Sequence, residues 1–140
     1  MKPDISPKFW LTISVAYMIL TFIVSSIPFS SKLMHQYRAI RPDLILHFVE
    51  YAILAILLMK YLAVSGWLKR SRWSWWMPVI IGGVVGGANE LFQVYVPNRF
   101  PSVSDAVANL IGAGIPVLLW CLPTPLSALH VTQTLTYYII

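Results

Sequence analysis

The sequence predicts an all-α membrane protein, a four-helix transmembrane bundle with a short C-terminal interfacial tail. Of its 140 residues, 58% are hydrophobic and only 11% are charged, which is more apolar surface than one small water-soluble core can bury. Four apolar stretches, at about 9–29, 44–64, 75–96 and 106–122, match or approach the roughly 17–25 residues that a spanning helix needs. No segment between them is long enough for a second domain, so residues 1–140 are expected to form a single domain.

The first stretch follows Lys2 and Lys8, as the apolar core of a cleaved signal peptide does. Its apolar run is long for a signal peptide, however, it contains Trp10 and Tyr17, and no A-x-A-like cleavage pattern follows it. We therefore interpret it as a retained first span.

A basic group, Lys69-Arg70-Ser71-Arg72, separates the second and third stretches and is flanked by tryptophans. Lysine and arginine concentrate on the cytoplasmic side of membrane proteins, and tryptophan concentrates at membrane interfaces. The group thus predicts a cytoplasmic hairpin. A cytoplasmic N-terminus would place six basic residues near span ends on the cytoplasmic side and four on the other, and this bias favours it; the six are Lys2, Lys8, Lys60, Lys69, Arg70 and Arg72, and the four are Lys32, Arg38, Arg41 and Arg99. The basic group also means that the net charge of +5 points to lipid headgroups, and nucleic acid is not expected as a partner.

The fourth stretch ends before Pro123-Thr124-Pro125, which a helix does not continue through easily. The remaining residues, 126–140, are too few for a fifth span and predict an interfacial segment. Cys121 is the only cysteine, so we expect no intramolecular disulfide and interpret it as a small core residue.

Helical periodicity predicts which side of each span is polar. In the third stretch the glycines and the acid share one face, which comprises Gly83, Gly86, Gly87, Glu90, Gln93, Val94 and Pro97. Small residues let helix backbones approach closely in lipid, and the spacings Gly82-x-x-x-Gly86 and Gly83-x-x-x-Gly87 are of that kind. The second stretch has a stripe made of His47, Glu50, Tyr51, Leu54 and Leu58, and the fourth has one made of Asp105, Asn109, Gly112 and Pro116.

In a four-span chain, the start of the second span, the end of the third and the start of the fourth lie on the same side of the membrane. With the N-terminus in the cytoplasm, that side is extracytoplasmic. The polar residues of these ends can converge there in an outward-facing cleft, together with the arginines of the first connection. The candidate ligand-binding residues are His47, Glu50, Tyr51, Glu90, Gln93, Arg99, Ser104, Asp105, Asn109, Arg38 and Arg41.

Two sequence blocks resemble the VanZ-like family in order and spacing over about residues 40–115. The first runs from Asp43 to Tyr51 (DLILHFVEY); the second comprises Asn89-Glu90-Leu91-Phe92-Gln93, Pro97-Asn98-Arg99, Ser102-Val103-Ser104-Asp105 and Asn109-Leu110-Ile111-Gly112. This chain has Leu44 where family members often carry lysine, and Asn98 where they often carry glycine.

The resemblance implies a small multi-pass protein of the bacterial cytoplasmic (inner) membrane, in a family whose founding member is associated with teicoplanin resistance. Its implied partners are membrane lipids, with cell-wall precursor lipids or the lipoglycopeptide itself as further candidates. We expect the cleft to bind an anionic lipid or a lipid-linked headgroup and thereby to affect glycopeptide susceptibility. Assembly into a homo-oligomer is left open.

Three alternatives remain for the same residues. Glu90 and Asp105 could instead bond Arg99 and the neighbouring amides and simply fasten two helices together, with Ser104 as a helix N-cap. The protein could be an intramembrane enzyme that modifies a lipid headgroup, with Glu90 or His47 as the catalytic proton-transfer group. It could also transport a small lipid-linked solute, although four spans without an inverted repeat would need oligomerisation for that.

A metal site is set aside on sequence grounds. His47 and Glu50 have a ligand-like spacing, and Glu90 and Asp105 could add carboxylates. The cluster contains a single histidine and no cysteine, however, and oxygen-rich sets with one imidazole are poorly diagnostic. We predict no metal and no cofactor.

Overall fold

A computed structural model describes residues 6–27, 42–70 and 72–121. Within these ranges the chain forms helices and turns and no strand, so the all-α prediction is confirmed. The elements are α1 (Pro7–Ser25), α2 (Pro42–Val64), α3 (Trp67–Arg70), a 3-10 helix (Arg72–Trp76), α4 (Met77–Gln93) and α5 (Val103–Cys121). Arg38, Arg41 and the predicted interfacial tail lie outside the described residues.

Three described helices are long and apolar enough to cross a membrane, namely α1, α2 and α5. The third predicted stretch, 75–96, forms a shorter helix, because α4 has 17 residues and hence a length of about 26 Å. Its first residues belong to the 3-10 helix, and Pro78 lies in the first turn of α4, where proline favours a helix start. After Gln93 the chain enters turns that precede Pro97.

The described helices carry polar groups inside and apolar groups outside. Large aliphatic side chains lie exposed on every long helix; examples are Ile19, Ile23, Ile53, Ile56, Ile80, Val84, Leu118 and Leu119. The buried polar residues include Ser14, Thr21, Ser25, His47, Glu50, Asn89, Glu90, Gln93, Asp105 and Asn109. Extended apolar surface of this kind is rare on soluble monomers, whereas intramembrane polar residues face the interior of a bundle.

Helix α2 lies at the centre and packs against α1, α4 and α5. The core consists of Tyr51, Leu54, Ala55 and Leu58 of α2 together with Ala113 of α5. The predicted polar stripes of α2 and α5 are buried at His47, Glu50, Tyr51, Leu54, Leu58, Asp105, Asn109 and Gly112.

Glycines bring the helix backbones close together. A Cβ at Gly82 would lie 2.7 Å from Ala113 Cβ, and one at Gly86 would lie 2.9 Å from Asn109 Cβ. A Cβ at Gly112 would collide with the backbone carbonyl of Phe48. Such separations are shorter than van der Waals contact, so these positions accept only glycine at the present helix spacing.

The predicted glycine face of the third stretch is therefore partly wrong. A Cβ at Gly87 would meet open space, and Val94 and Pro97 are exposed. The contact face runs through Gly82, Gly86 and Glu90 instead, and because α4 ends at Gln93 the helical period does not extend to Val94 or Pro97.

The ends of four helices meet on one side of the bundle, which we call the polar end. Contacts place His47 of α2 beside Asp105 of α5, and Asn89 of α4 beside Ser25 of α1. The starts of α2 and α5 therefore lie level with the ends of α1 and α4. Since the chain must return from the end of α2 to the start of α5, α4 runs the height of the bundle in the opposite direction.

The opposite end of the bundle is aromatic. An open cavity of about 820 Å³ is lined there by Trp73, Trp75, Trp76, Trp120 and Cys121. The rings of Trp75 and Trp120 stack with their centroids 6.0 Å apart. Cys121 is exposed at the last residue of α5, which corrects its interpretation as a core residue.

Candidate functional site

Three titratable side chains converge at the polar end, and we call them the triad. His47 Nε2 lies 3.9 Å from Glu90 Oε1 and 3.9 Å from Asp105 Oδ2. One potential ligand atom from each residue lies within 4.8 Å of the other two. All three residues are buried, with 4% of His47, 5% of Glu90 and 7% of Asp105 exposed. The triad therefore places an imidazole against two carboxylates with little access to solvent.

Each member of the triad comes from a different helix. His47 lies in the second turn of α2, Glu90 in the last turn of α4 and Asp105 in the first turn of α5. An acidic residue at the first turn is stabilised by the positive end of the helix dipole. Two properties of the sequence predict that these helix ends meet: the direction in which the chain runs through each helix, and the helical period that places the polar residues on the inward faces.

The two carboxylates are oriented by neighbouring donors. Glu90 Oε2 accepts the backbone N–H of Ser102 at 3.1 Å, and Glu90 Oε1 accepts from Gln93 Nε2 at 3.2 Å. The Ser104 hydroxyl donates to Asp105 Oδ1 at 3.4 Å. Each acid thus has one oxygen bonded to the segment around the start of α5 and directs the other oxygen at His47.

Several buried polar atoms near the triad have no hydrogen-bond partner among the described residues. They are His47 Nδ1, Tyr51 Oη, Asn89 Oδ1 and both amide atoms of Asn109. Asn109 is fully buried one turn beyond Asp105 and lies against Gly86. Buried polar atoms without partners are uncommon in folded proteins and are frequent at sites that bind a ligand or ordered water.

The other candidate residues surround this group at different distances. Glu50 and Tyr51 are buried one turn further along α2, and Tyr51 belongs to the core. Glu50 is not among the three residues whose ligand atoms meet. Two further candidates, Arg38 and Arg41, lie outside the described residues.

Arg99 fastens the connection between α4 and α5 to the end of α1. Its Nη2 and Nε groups donate to the backbone carbonyl of Ile27 at 3.2 and 3.4 Å. The side chain is half-buried. A permanent positive charge is thereby held at the polar end, on the same side as the triad acids.

The N-cap prediction for Ser104 is wrong, because α5 begins at Val103 and Ser104 lies inside its first turn. The residue that precedes the helix is Ser102, and its hydroxyl lies 2.6 Å from that of Ser104. The predicted start of the fourth stretch, at 106, was three residues too late. Ser102 and Ser104 are polar, and the hydropathy boundary therefore fell after them.

Sequence reasoning also missed two residues that build the polar end. The Asn89 amide nitrogen donates to the Ser25 hydroxyl at 2.7 Å, and both side chains are buried. Asn89 precedes Glu90 in the motif Asn89-Glu90-Leu91-Phe92-Gln93, and this position could have indicated that Asn89 belongs to the polar end. Its partner on α1 could not be found from local spacing.

Comparisons with protein-family models, with curated proteins and with solved structures found no match for this chain. The site is therefore interpreted from its own geometry. A buried imidazole between two carboxylates can share or transfer a proton, and it can also hold a cation.

Proposed function

We propose that the chain is a multi-pass protein of the bacterial cytoplasmic membrane that belongs with the VanZ-like proteins and crosses the membrane four times. The length and apolar surface of α1, α2 and α5 support spanning by these helices. Helix α4 is the fourth span: its 17 residues meet the lower limit of about 17, and it runs back between α2 and α5. Exposed aromatic residues such as Trp73 and Trp76 precede α4, and tryptophan is enriched at membrane–water interfaces. These residues would place the start of α4 at the membrane surface.

The polar end faces the outside of the cell in this arrangement. The exposed basic residues Lys69 and Arg70 lie in α3 at the opposite end, and lysine and arginine favour the cytoplasmic side. Lys8 at the start of α1 lies on that same side. The N-terminus is then cytoplasmic, and the triad lies at the depth of the outer headgroups.

The polar end binds an anionic lipid or a lipid-linked headgroup, and through it the protein alters susceptibility to teicoplanin-type glycopeptides. The observation that carries this proposal is the buried triad beside Arg99 at the end of the bundle. A guanidinium recognises phosphate oxygens through paired N–H donors, while His47 and Asn109 provide further polar atoms. Intramembrane ionisable residues are costly and are functional candidates by default.

Binding is tested with the purified full-length protein and added phosphatidylglycerol, with phosphatidylcholine as the uncharged reference. Native mass spectrometry should show selective retention of phosphatidylglycerol, which Arg99→Gln weakens. Arg70→Gln is the matched control, because it removes the same charge from an exposed position at the opposite end. Equal retention of both lipids by the unaltered protein contradicts the proposal.

The cellular part is tested by the inhibitory concentration of teicoplanin in cells that express each variant at equal membrane abundance. Arg99→Ala and Glu90→Gln should abolish any protection that the unaltered chain gives. Arg70→Gln should preserve it. Full protection by both polar-end variants would show that the cleft has no part in it.

A second candidate function is catalysis on the headgroup. The specific observation in its favour is that His47 Nε2 is equidistant from two buried carboxylate oxygens, an arrangement suited to general acid–base chemistry. The lipid profiles of cells lacking and overproducing the protein decide between binding and catalysis. A modified lipid that appears with the unaltered chain and disappears with Glu90→Gln identifies an enzyme.

A further inference from the structure

We infer that the triad is a binding site for a first-row divalent cation such as Zn²⁺ or Mn²⁺. His47, Glu90 and Asp105 would each supply one ligand atom. This inference goes beyond the proposed headgroup binding and stands without it, because it depends on the triad alone. The sequence predicted no metal, because one histidine among acids is poorly diagnostic; the distances between the three side chains are the new observation.

The separations within the triad fit a shared ion better than hydrogen bonds. His47 Nε2 is 3.9 Å from each facing carboxylate oxygen, and a hydrogen bond between nitrogen and oxygen requires about 2.7–3.2 Å. Two ligands that each lie about 2.1 Å from one ion are about 3.0 to 4.2 Å apart, depending on the angle between them. A separation of 3.9 Å corresponds to an angle of about 136° at the ion, so each carboxylate oxygen would move about 0.5 Å closer to His47 Nε2 to reach tetrahedral geometry.

The orientation of the carboxylates supports the same assignment. Glu90 Oε2 and Asp105 Oδ1 accept hydrogen bonds from Ser102 N–H and the Ser104 hydroxyl. Glu90 Oε1 and Asp105 Oδ2 are the oxygens that face His47. Glu90 Oε1 also accepts a hydrogen bond from Gln93 Nε2 at 3.2 Å. Metal-binding carboxylates are commonly held in this way, with one oxygen on the ion and the other on a protein donor.

An independent observation is the state of the His47 side chain. It is 4% exposed, and no hydrogen-bond partner for Nδ1 lies within the described part of the chain. The polar neighbours that define its orientation there are the two facing carboxylate oxygens. The ring nitrogen that faces the acids is Nε2, and a cation bound by both acids would be a partner for Nε2 but not for Nδ1.

Charge favours the cation too. The ligand atoms of the two acids and the imidazole lie within 4.8 Å of one another, and two ionised carboxylates carry more charge than a protonated imidazole can neutralise. Buried charge is costly unless it is compensated. A divalent cation neutralises both acids, and three protein ligands leave coordination positions for water or for an oxygen of an anionic ligand.

The donor set indicates the class of metal. Imidazole favours Zn²⁺ and its neighbours, and carboxylates favour Mn²⁺, Mg²⁺ and Ca²⁺. Because Ca²⁺ takes 6–8 oxygen ligands, three protein ligands that include a nitrogen suit it poorly. Mg²⁺ also retains several waters and prefers oxygen, so Zn²⁺ and Mn²⁺ are the ions to test.

The test uses the full-length protein in detergent with any affinity tag removed, stripped with chelator and dialysed against each metal. Elemental analysis should find about one Zn²⁺ or Mn²⁺ per chain, with Mg²⁺ and Ca²⁺ bound at least about tenfold more weakly. Glu90→Gln and Asp105→Asn should each lower the affinity at least about tenfold. Asp43→Asn is the matched control, since it removes an acid one turn before His47 that is not a triad member, and it should stay within about twofold of the unaltered protein.

The inference is overturned if the unaltered chain takes up no saturable metal, or if both triad variants bind as tightly as Asp43→Asn. A variant that fails to fold is replaced by a measurement on the unaltered protein. X-ray absorption at the metal edge should then show oxygen and nitrogen ligands with the scattering of one imidazole. A sulfur ligand or several imidazoles would place the metal elsewhere and reject the site.

Discussion

Asn89 and Ser25 are separated by 64 positions in the chain, and the Asn89 amide donates to the Ser25 hydroxyl at 2.7 Å. Both side chains are buried, and the bond joins the last turn of α4 to the last residue of α1. Nearby, Arg99 bonds the carbonyl of Ile27. The end of α1 is thus bonded to the polar end by two side chains: Asn89 of α4, and Arg99 of the connection between α4 and α5.

Ser25→Ala should lower the free energy of unfolding by about 0.6 kcal/mol, the average measured for hydrogen bonds between membrane helices, and by no more than the measured maximum of about 1.7 kcal/mol. Ser26→Ala is the control, because the Ser26 hydroxyl bonds only Phe22 of its own helix among the described contacts, and it should have a smaller effect. Unfolding in mixed micelles measures both. A double-mutant cycle with Asn89→Ala should give a coupling energy near the single-variant loss, and additive effects would contradict the bond.

Alanine should discriminate between glycines that touch another helix and glycines that do not. Gly86→Ala and Gly112→Ala force α4 and α2 away from α5 and should each cost about 1–3 kcal/mol of unfolding free energy. Gly87→Ala and Gly114→Ala are matched controls, since a Cβ there meets nothing within 4 Å; they should be neutral or stabilising. Thermal unfolding in detergent gives the ranking, and equal losses at all four positions would contradict the packing.

Asn98 adopts a left-handed backbone conformation with φ 62°, which glycine and asparagine tolerate best. Asn98→Gly should therefore leave stability nearly unchanged, and Asn98→Val should cost about 1–2 kcal/mol. Tyr95→Val, in the same connection and 83% exposed, is the control for introducing valine. The unfolding midpoint provides the measurement; a valine at position 98 that is as harmless as one at 95 would be inconsistent with this backbone.

The fully buried Asn109 should contribute less to stability than the fully buried Asn89. Within the described residues the Asn109 amide has no hydrogen-bond partner, so Asn109→Ala removes an uncompensated polar group, which offsets the packing that it loses. We expect a change within about 0.5 kcal/mol, against about 1–2 kcal/mol for Asn89→Ala. In native mass spectrometry, Asn109→Ala should lower the retention of phosphatidylglycerol. A large loss of unfolding free energy in this variant would contradict the prediction and assign Asn109 a structural role.

Much of the fold could be predicted because hydropathy and helical period are local properties. The positions of α1, α2 and α5, and the burial of His47 and Asp105, follow from them directly. Chain direction then placed three helix ends together, because α2 and α4 run in opposite directions between the start of α2 and the start of α5. The protein's affiliation and its ligand stay predictions, because no comparison or contact tests them.

Other features depend on information that a single helix does not contain. Helix α4 is limited at one end by the 3-10 helix that includes Trp76 and at the other by the turns before Pro97. The apolar stretch of the sequence continues through both limits, so hydropathy predicted a longer helix. The attachment of Arg99 to the Ile27 carbonyl depends on where the end of α1 lies in space. Which glycines of α4 face α5 depends on the rotation of α4 about its own axis. Tertiary packing determines that rotation and places Gly82 and Gly86 at the contact.

The close approach of Gly112 to the Phe48 carbonyl has a bearing on the chemistry as well as on stability. Phe48 follows His47 in the chain, and Gly112 lies about two turns along α5 from Asp105. The distance between the His47 imidazole and the Asp105 carboxylate therefore depends on how closely the backbones of α2 and α5 approach each other. A side chain at position 112 would push α2 away from α5 and so change the distance between His47 and Asp105, although residue 112 is not a member of the triad.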